Sequence, residues 1–345
     1  MQIKKSKYSI VGYLAILLYL LIHLYTLDLF PLPWYDETYM ASIGKAFLET
    51  GEFTKTLAYY TDEPKVDLRY GPAYFLVTAL VFKFLGVGIF QYRLISLFSG
   101  FITIWLTYQL FKQQTGKKNI GYALVIFLSL DSFYFRCMHE GRMDLMASAF
   151  MLAASLLILK SLNTEKKKNL IKRFALAGAL TALGLLTSPR VGYPLPFIAL
   201  YLLYYFLRNR PQQLAVSLFS FLIPLFFLYS AWIFYAFGGY LNFIDFYQEN
   251  LGYTRLNGYP FYFPKQQIPL LVISFLVTLL GIVRLRKAFF SPIIIWSLLH
   301  IAAFYIIVYD NGPYASLIFP YLYILLFCHI EEGFLKKIKS RYTPI

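Results

Sequence analysis

The chain has 345 residues, of which 59% are apolar, 20% aromatic and only 14% charged. Soluble globular domains run nearer half apolar and about a quarter charged, so hydrocarbon rather than water is the expected solvent for most of this surface. The net charge of +15 would suit nucleic acid, but its distribution excludes that partner: the basic residues form short clusters between apolar runs, as in the cytoplasmic loops of membrane proteins.

The first element is an apolar run from Tyr8 to Phe30, preceded by Lys4, Lys5 and Lys7. It is too long for a signal peptide and lacks a small-residue cleavage site, so it reads as the first span. Further spans are expected at Gln91–Phe111, Ile120–Phe135, Leu145–Leu159, Phe174–Leu186, Val191–Leu207, Leu214–Phe237, Ile268–Val283, Phe289–Val308 and Tyr314–Ile330. Several are shorter than the ~20 residues a bilayer requires, so their ends are expected to reach into flanking polar positions. The expected fold class is an all-α polytopic membrane protein of about ten transmembrane helices. It reads as a single domain over 1–345, with no soluble domain. Cys137 and Cys328 fall at opposite membrane faces in this arrangement, which excludes a disulfide framework, and no metal-ligand spacing occurs.

The segment Pro72–Phe90 is apolar enough to cross, but Lys83 interrupts it and Gly86 and Gly88 close it. Charge decides its placement. With the segment lying on the outer face, 21 of the 32 basic residues fall inside; crossing would invert that bias. Pro72–Phe90 is therefore expected to be an interfacial helix. Of the 17 acidic residues, only Glu165, Glu331 and Glu332 then lie inside.

The outer side gathers the chemistry. Asp36 and Glu37 head the long first outer loop. Carboxylates near hydrocarbon are costly and default to functional candidates. The alternative is helix capping, with Asp36 as N-cap and Glu37 complementing the dipole. Asp36 and Tyr39 would share a helix face. The second outer loop holds Arg136, His139, Glu140, Arg142 and Asp144. Together with Arg93, its arginines could hold an anionic lipid headgroup, since guanidinium forks suit phosphate. Arg142 and Asp144 could equally neutralise each other. Arg190, after Thr187-Ser188-Pro189, either joins this pocket or anchors the interface. Asp131, inside an apolar span, is expected to pair with Arg136. His23, His300 and His329 read as structural, and His139 as a weaker functional candidate. The tract Phe243–Tyr262 is either an aromatic belt or a sugar-stacking surface.

In their order these features resemble the GT-C-fold glycosyltransferases that use lipid-phosphate sugars, in the branch of protein O-mannosyltransferases and lipid A aminoarabinose transferases. The order is a basic N-terminus and one span, the Asp36-Glu37 pair, and a Pro-led amphipathic helix at Arg69-Tyr70-Gly71-Pro72-Ala73-Tyr74-Phe75. A helix start from Gly86 to Arg93-Leu94, a basic turn at Lys117-Lys118 and Arg142-Met143-Asp144 follow. The pattern covers residues 1–210, a catalytic module with its outer loop at 31–90; residues 211–345 match only as additional transmembrane helices. Many members have Lys-Pro-Pro where this chain has Tyr70-Gly71-Pro72, so a phosphate-binding lysine is missing, with Arg69 or Lys65 as substitutes.

The resemblance implies transfer of a sugar from a polyprenyl-phosphate donor, undecaprenyl phosphate in a bacterium, to a hydroxyl acceptor with inversion. Asp36 would be the general base and Glu37 would orient the acceptor or the base. Arg93, Arg142, Arg69 and Lys65 would neutralise the lipid phosphate, supported by Tyr39, Asp144, Arg136, His139 and Arg190. The setting would be a bacterial plasma membrane, with cytoplasmic termini and an extracytoplasmic site. Some relatives bind a divalent cation; no ligand set here demands one and no cofactor is required. The partners are the lipid-linked sugar, membrane lipid and an acceptor that is a glycan, lipid or protein. Three rivals stay open: a transporter or flippase of an anionic or lipid-linked substrate, a glycan polymerase or ligase using the Gly238–Gln267 loop, and an inactive scaffold.

Overall fold

The computed structural model describes residues 3–55, 65–66, 70–162, 167–246, 291–307 and 314–330, with a few residues between 248 and 279. Helix α1 covers Ile3–Thr26 and α2 covers Tyr35–Thr50. After α3 (Ala73–Leu85) come α4 (Ile89–Thr115), α5 (Lys118–Leu130), α6 (Ser132–His139), α7 (Asp144–Leu162) and α8 (Lys167–Leu185). Then follow α9 (Leu195–Asn209), α10 (Pro211–Phe237), α11 (Pro292–Ile307) and α12 (Phe319–Cys328). The fold is all-α as expected, and among the described residues the first outer loop adds only a two-residue antiparallel pair, β1 (Thr54–Lys55) and β2 (Lys65–Val66).

Among the described residues, α4, α7, the segment Pro189–Asn209 and α10 are each long and apolar enough to cross a membrane alone. Helices α5 and α6 are long and apolar enough only when taken together, as a broken span or a re-entrant loop, bent by 64° at Asp131. The bend has a local cause. Asp131 Oδ1 accepts the N–H groups of Phe133 and Tyr134 at 3.0 and 2.9 Å, which caps α6 as a new helix. Its Oδ2 takes the Tyr323 hydroxyl at 2.8 Å. The expected Asp131–Arg136 pair is not formed, because Arg136 lies a turn further on and reaches Glu140 at 2.7 Å instead. Of the expected span Ile268–Val283 only scattered residues between 269 and 279 are described, all of them helical, and most of the tract Phe243–Tyr262 lies outside the described residues.

Helix α3, with 13 residues, is too short to cross hydrocarbon that needs about 20. Tyr74, Phe75, Thr78, Ala79 and Phe82 are buried, while Leu76, Leu80 and Phe84 form an exposed apolar stripe at spacing four. That stripe suits a helix lying in the membrane boundary. Its two flanks also stay on one side. Arg93, in the first turns of α4, donates to the carbonyl of Leu27 just past the end of α1, at 2.8 Å. The chain therefore leaves α1 and enters α4 at the same end of the bundle.

The other end is marked by Lys117, which donates to the carbonyls of Cys328 and Ile330 at 2.8 and 3.0 Å. Those are orphan carbonyls at the C-terminus of α12, where a cation is favoured. Arg93 and Lys117 stand ~36 Å apart along the chain at 1.5 Å per helical residue, enough to span the bilayer core. Cys137 and Cys328 are both free and buried.

One apolar core runs through α4 to α9, α11 and α12. A second, from Tyr39, Ile43, Phe75, Tyr92, Met146 and Trp232, seats α2 and α3 on the same end of the bundle as Arg93. The close fit uses a glycine. A Cβ on Gly71 would run into the backbone of Leu186, where the Ala73 N–H also bonds the Leu186 carbonyl at 3.0 Å.

Candidate active site

The two carboxylates at the head of α2 have separate surroundings. Trp34 is the N-cap, so Asp36 lies inside the first turn and does not fill the capping position expected of it. Glu37, on the next position, has no exposed surface. Its Oε1 accepts from Arg93 Nε at 2.8 Å and from the Gly141 N–H at 2.6 Å. Its Oε2 accepts from Arg93 Nη2 at 2.7 Å and the Trp34 N–H at 3.2 Å.

Glu37 and Arg93 thus form a fully buried fork-to-fork pair that joins the ends of α1 and α6 to the starts of α2 and α4. Two expectations are corrected here. Arg93 has no exposed surface from which to reach a lipid phosphate, and three of its five N–H groups are held by Glu37 and the Leu27 carbonyl; Glu37 faces protein rather than acceptor. Gly141 belongs to the same joint, because a Cβ there would overlap the Tyr92 ring.

Asp36 by contrast keeps 40% of its side chain exposed. It opens onto a cleft of about 280 Å³ lined by Tyr70, Gly141, Arg142, Asp144 and Arg190 as well. Arg142 organises this cleft. Its Nε donates to Asp144 Oδ2 at 2.8 Å and its Nη1 approaches Asp36 Oδ2 at 3.4 Å. Its guanidinium lies over Trp34 at 5.3 Å and over Tyr314 at 4.9 Å. Ser96 holds its backbone, taking the Arg142 N–H at 3.0 Å and donating to its carbonyl at 2.8 Å. Burial works against the Arg142 charge, but Asp144 and Tyr314 outweigh it and hold the pKa well above the usual arginine value. Asp144 is nearly buried, and its Oδ1 has no partner among the described residues.

Arg190 sits on a 3₁₀ turn, Pro189–Gly192, across the cleft. It donates to the Tyr70 hydroxyl at 3.1 Å and stacks on the Tyr314 ring at 3.8 Å. Tyr314 is therefore a plate touched by both guanidinium groups, with Asp36 beside one of them.

The other candidates are elsewhere. Arg136 pairs with Glu140 four residues on and its side chain is 54% exposed, so it is a surface cation outside the cleft. His139 is buried against Thr26, Phe135 and His23, its ring stacked on His23 at 4.9 Å. Tyr39 belongs to the second core. Lys65 lies in β2 opposite Lys55, and Arg69 is outside the described residues. Tyr314 is the residue that sequence reasoning missed. In the sequence it is one more aromatic at a span end, and nothing in its neighbours distinguishes it. Tyr70 was visible only as the position of a missing lysine. Among the described residues no three His, Cys, Asp or Glu side chains gather as a metal site would require.

Residues 64–234 match the model of a family described as dolichyl-phosphate-mannose-protein mannosyltransferase. An uncharacterised protein of Aquifex aeolicus (strain VF5) is 26% identical over 313 residues, covering 88% of this chain and 61% of that protein. Two solved structures share the architecture, both of ArnT from Cupriavidus metallidurans. The apo form matches with a TM-score of 0.70 at 15% identity, over 97% of this chain and 63% of ArnT. The form bound to undecaprenyl phosphate matches with a TM-score of 0.64 at 16% identity, over 96% and 63%. The chain spans less than two thirds of these relatives. A helical bundle with a capping helical hairpin, matched over nearly its whole length by these structures, makes this chain an integral membrane protein of the GT-C fold.

Proposed function

We propose that this protein transfers a sugar from a polyprenyl-phosphate donor to an acceptor hydroxyl, on the extracytoplasmic face of a plasma membrane whose cytoplasmic side holds both termini. The observation that carries the reading is the cleft itself. A half-exposed carboxylate, Asp36, shares about 280 Å³ with Arg142 and Arg190, whose guanidinium groups meet on one tyrosine. A base beside two fixed cations is what transfer from a phosphate leaving group requires. The family description and the undecaprenyl phosphate held by ArnT support a lipid-phosphate donor.

In this reading the donor phosphate lies by Arg190, Tyr70 and Tyr314. These residues take the place of the absent lysine, and Arg142 faces the same anion from the Asp36 side. Asp36 removes the proton of the acceptor hydroxyl as its oxygen attacks the anomeric carbon. The phosphate leaves from the opposite face, giving inversion, and the arginines compensate its growing charge. Arg142 Nη1, 3.4 Å from Asp36 Oδ2, also holds that carboxylate at the edge of the cleft. Asp144 Oδ1, beside Arg142 and without a partner among the described residues, accepts a hydroxyl of either substrate. The Glu37–Arg93 pair acts through position alone, fixing the start of α2 against the Gly141 turn.

The test is donor consumption by the purified protein in lipid vesicles, with a panel of labelled undecaprenyl-phosphate sugars. Asp36→Asn should lower turnover about 10²–10⁴-fold, the usual worth of a general base, with donor affinity retained. Near-normal transfer by Asp36→Asn would remove the catalytic assignment.

A further inference from the structure

A second recess of the bundle has no part in the chemistry above. Its empty space is about 210 Å³ with the open mouth included, the inner part admits a group of about the size of one water, and Ser148, Met151, Val191, Tyr193, His300 and Tyr321 contribute to its wall. Its position follows from the helices. Ser148 is one turn past Asp144 on α7, and Val191 follows Arg190. Leu317, also in the wall, bonds back to Tyr314. The recess therefore lies about one helical turn, ~5.4 Å, deeper in the bundle than the cleft.

The chemistry of the recess is set by His300. The residue is 1% exposed, and its Nδ1 lies 2.9 Å from the Trp296 carbonyl. A carbonyl can only accept, so Nδ1 carries the proton and Nε2 presents a lone pair. Nε2 has no partner among the described residues. The ring cannot easily turn away. Tyr321 stacks on it at 3.9 Å, and the Tyr321 hydroxyl lies 3.4 Å from Ser155 Oγ. That same Oγ takes the Trp296 indole N–H at 3.0 Å. Tyr193 meets the imidazole edge-on at 6.4 Å. The result is a mostly aromatic and apolar recess with one fixed acceptor, the usual form of a site that orients a small group.

We infer that this recess takes one hydroxyl of the transferred sugar, whose O–H donates to His300 Nε2 between Tyr193 and Tyr321. The inference rests on the transfer reading of the cleft. An isoprenyl chain has no donor and would leave the buried acceptor unsatisfied, a costly arrangement. A sugar hanging from a phosphate at Arg190 and Tyr314 has only one helical turn to cover. His300 is then a specificity-determining residue, distinguishing sugars that place a hydroxyl there from those that lack one.

The experiment compares affinities of the whole protein in lipid nanodiscs for undecaprenyl phosphate and for a set of undecaprenyl-phosphate hexoses and pentoses. At least one sugar-bearing lipid should bind more tightly than the bare phosphate. His300→Phe keeps a ring but removes the acceptor, and should reduce that advantage about fivefold to tenfold, the net worth of one hydrogen bond, with affinity for undecaprenyl phosphate unchanged. His300→Gln, which can accept through Oε1, should recover part of it. An advantage that survives His300→Phe would overturn the inference, since Nε2 would then face only water. So would equal loss of undecaprenyl phosphate affinity, which marks a structural residue, or the absence of any sugar-dependent advantage. Failure of the unaltered protein to bind undecaprenyl phosphate would instead defeat the transfer reading, and this inference with it.

Discussion

Glu37→Gln offers a direct separation of scaffold from chemistry. Glu37 and Arg93 are both without exposed surface, and Glu37 accepts four hydrogen bonds, two from Arg93 and two from backbone N–H groups. The amide keeps the size but loses the charge, and its NH₂ must face a donor. Arg93 is then left as a buried cation held chiefly by the Leu27 carbonyl. Breaking a buried pair in this way costs about 3–5 kcal/mol, whereas removing both charges together often costs far less. The assay is the midpoint of thermal unfolding in detergent, read beside undecaprenyl phosphate binding. Glu37→Gln should lower the midpoint sharply, and the double variant Glu37→Gln with Arg93→Met should recover much of the loss. The molecules of Glu37→Gln that remain folded should still bind the lipid phosphate. An unchanged midpoint together with lost lipid binding would refute the argument and return Glu37 and Arg93 to the substrate.

Tyr314→Ala removes the plate that both arginines touch, and should weaken undecaprenyl phosphate binding about tenfold, while Tyr314→Phe keeps most of the stacking and should lose less; equal affinities in all three proteins would place the phosphate elsewhere. The membrane orientation can be checked with a maleimide that cannot cross lipid: Lys168→Cys should react only from the cytoplasmic side and Glu49→Cys only from the outer side. Both positions are exposed and both native cysteines are buried. Reaction of the two from the same side would undo the arrangement of loops.

The membrane character, the helices and the grouping of charged loops were legible from local pattern. Apolar runs and basic clusters are properties of contiguous residues, and the bilayer imposes its ~20-residue length on each run separately. The short α3 was legible for the same reason, since the bias of basic residues permits one placement only. Asp36 also stood out, because a carboxylate beside hydrocarbon is rare wherever the chain goes.

Which cation meets which carboxylate was a different matter. Arg93 and Arg142 look alike in sequence, each at the outer start of a helix. Only packing makes one a buried clamp on Glu37, 56 residues away, and the other a wall of the cleft. Asp131 appeared to want Arg136, yet the bend between α5 and α6 turns it to Tyr323, 192 residues on. Tyr314 became part of the site because the turn Ala315–Leu317 that follows it packs on α7 and its ring meets Arg190. Ion pairs and stacked rings depend on distances of a few ångströms between remote segments. A composition or a spacing carries no record of them until the helices are packed.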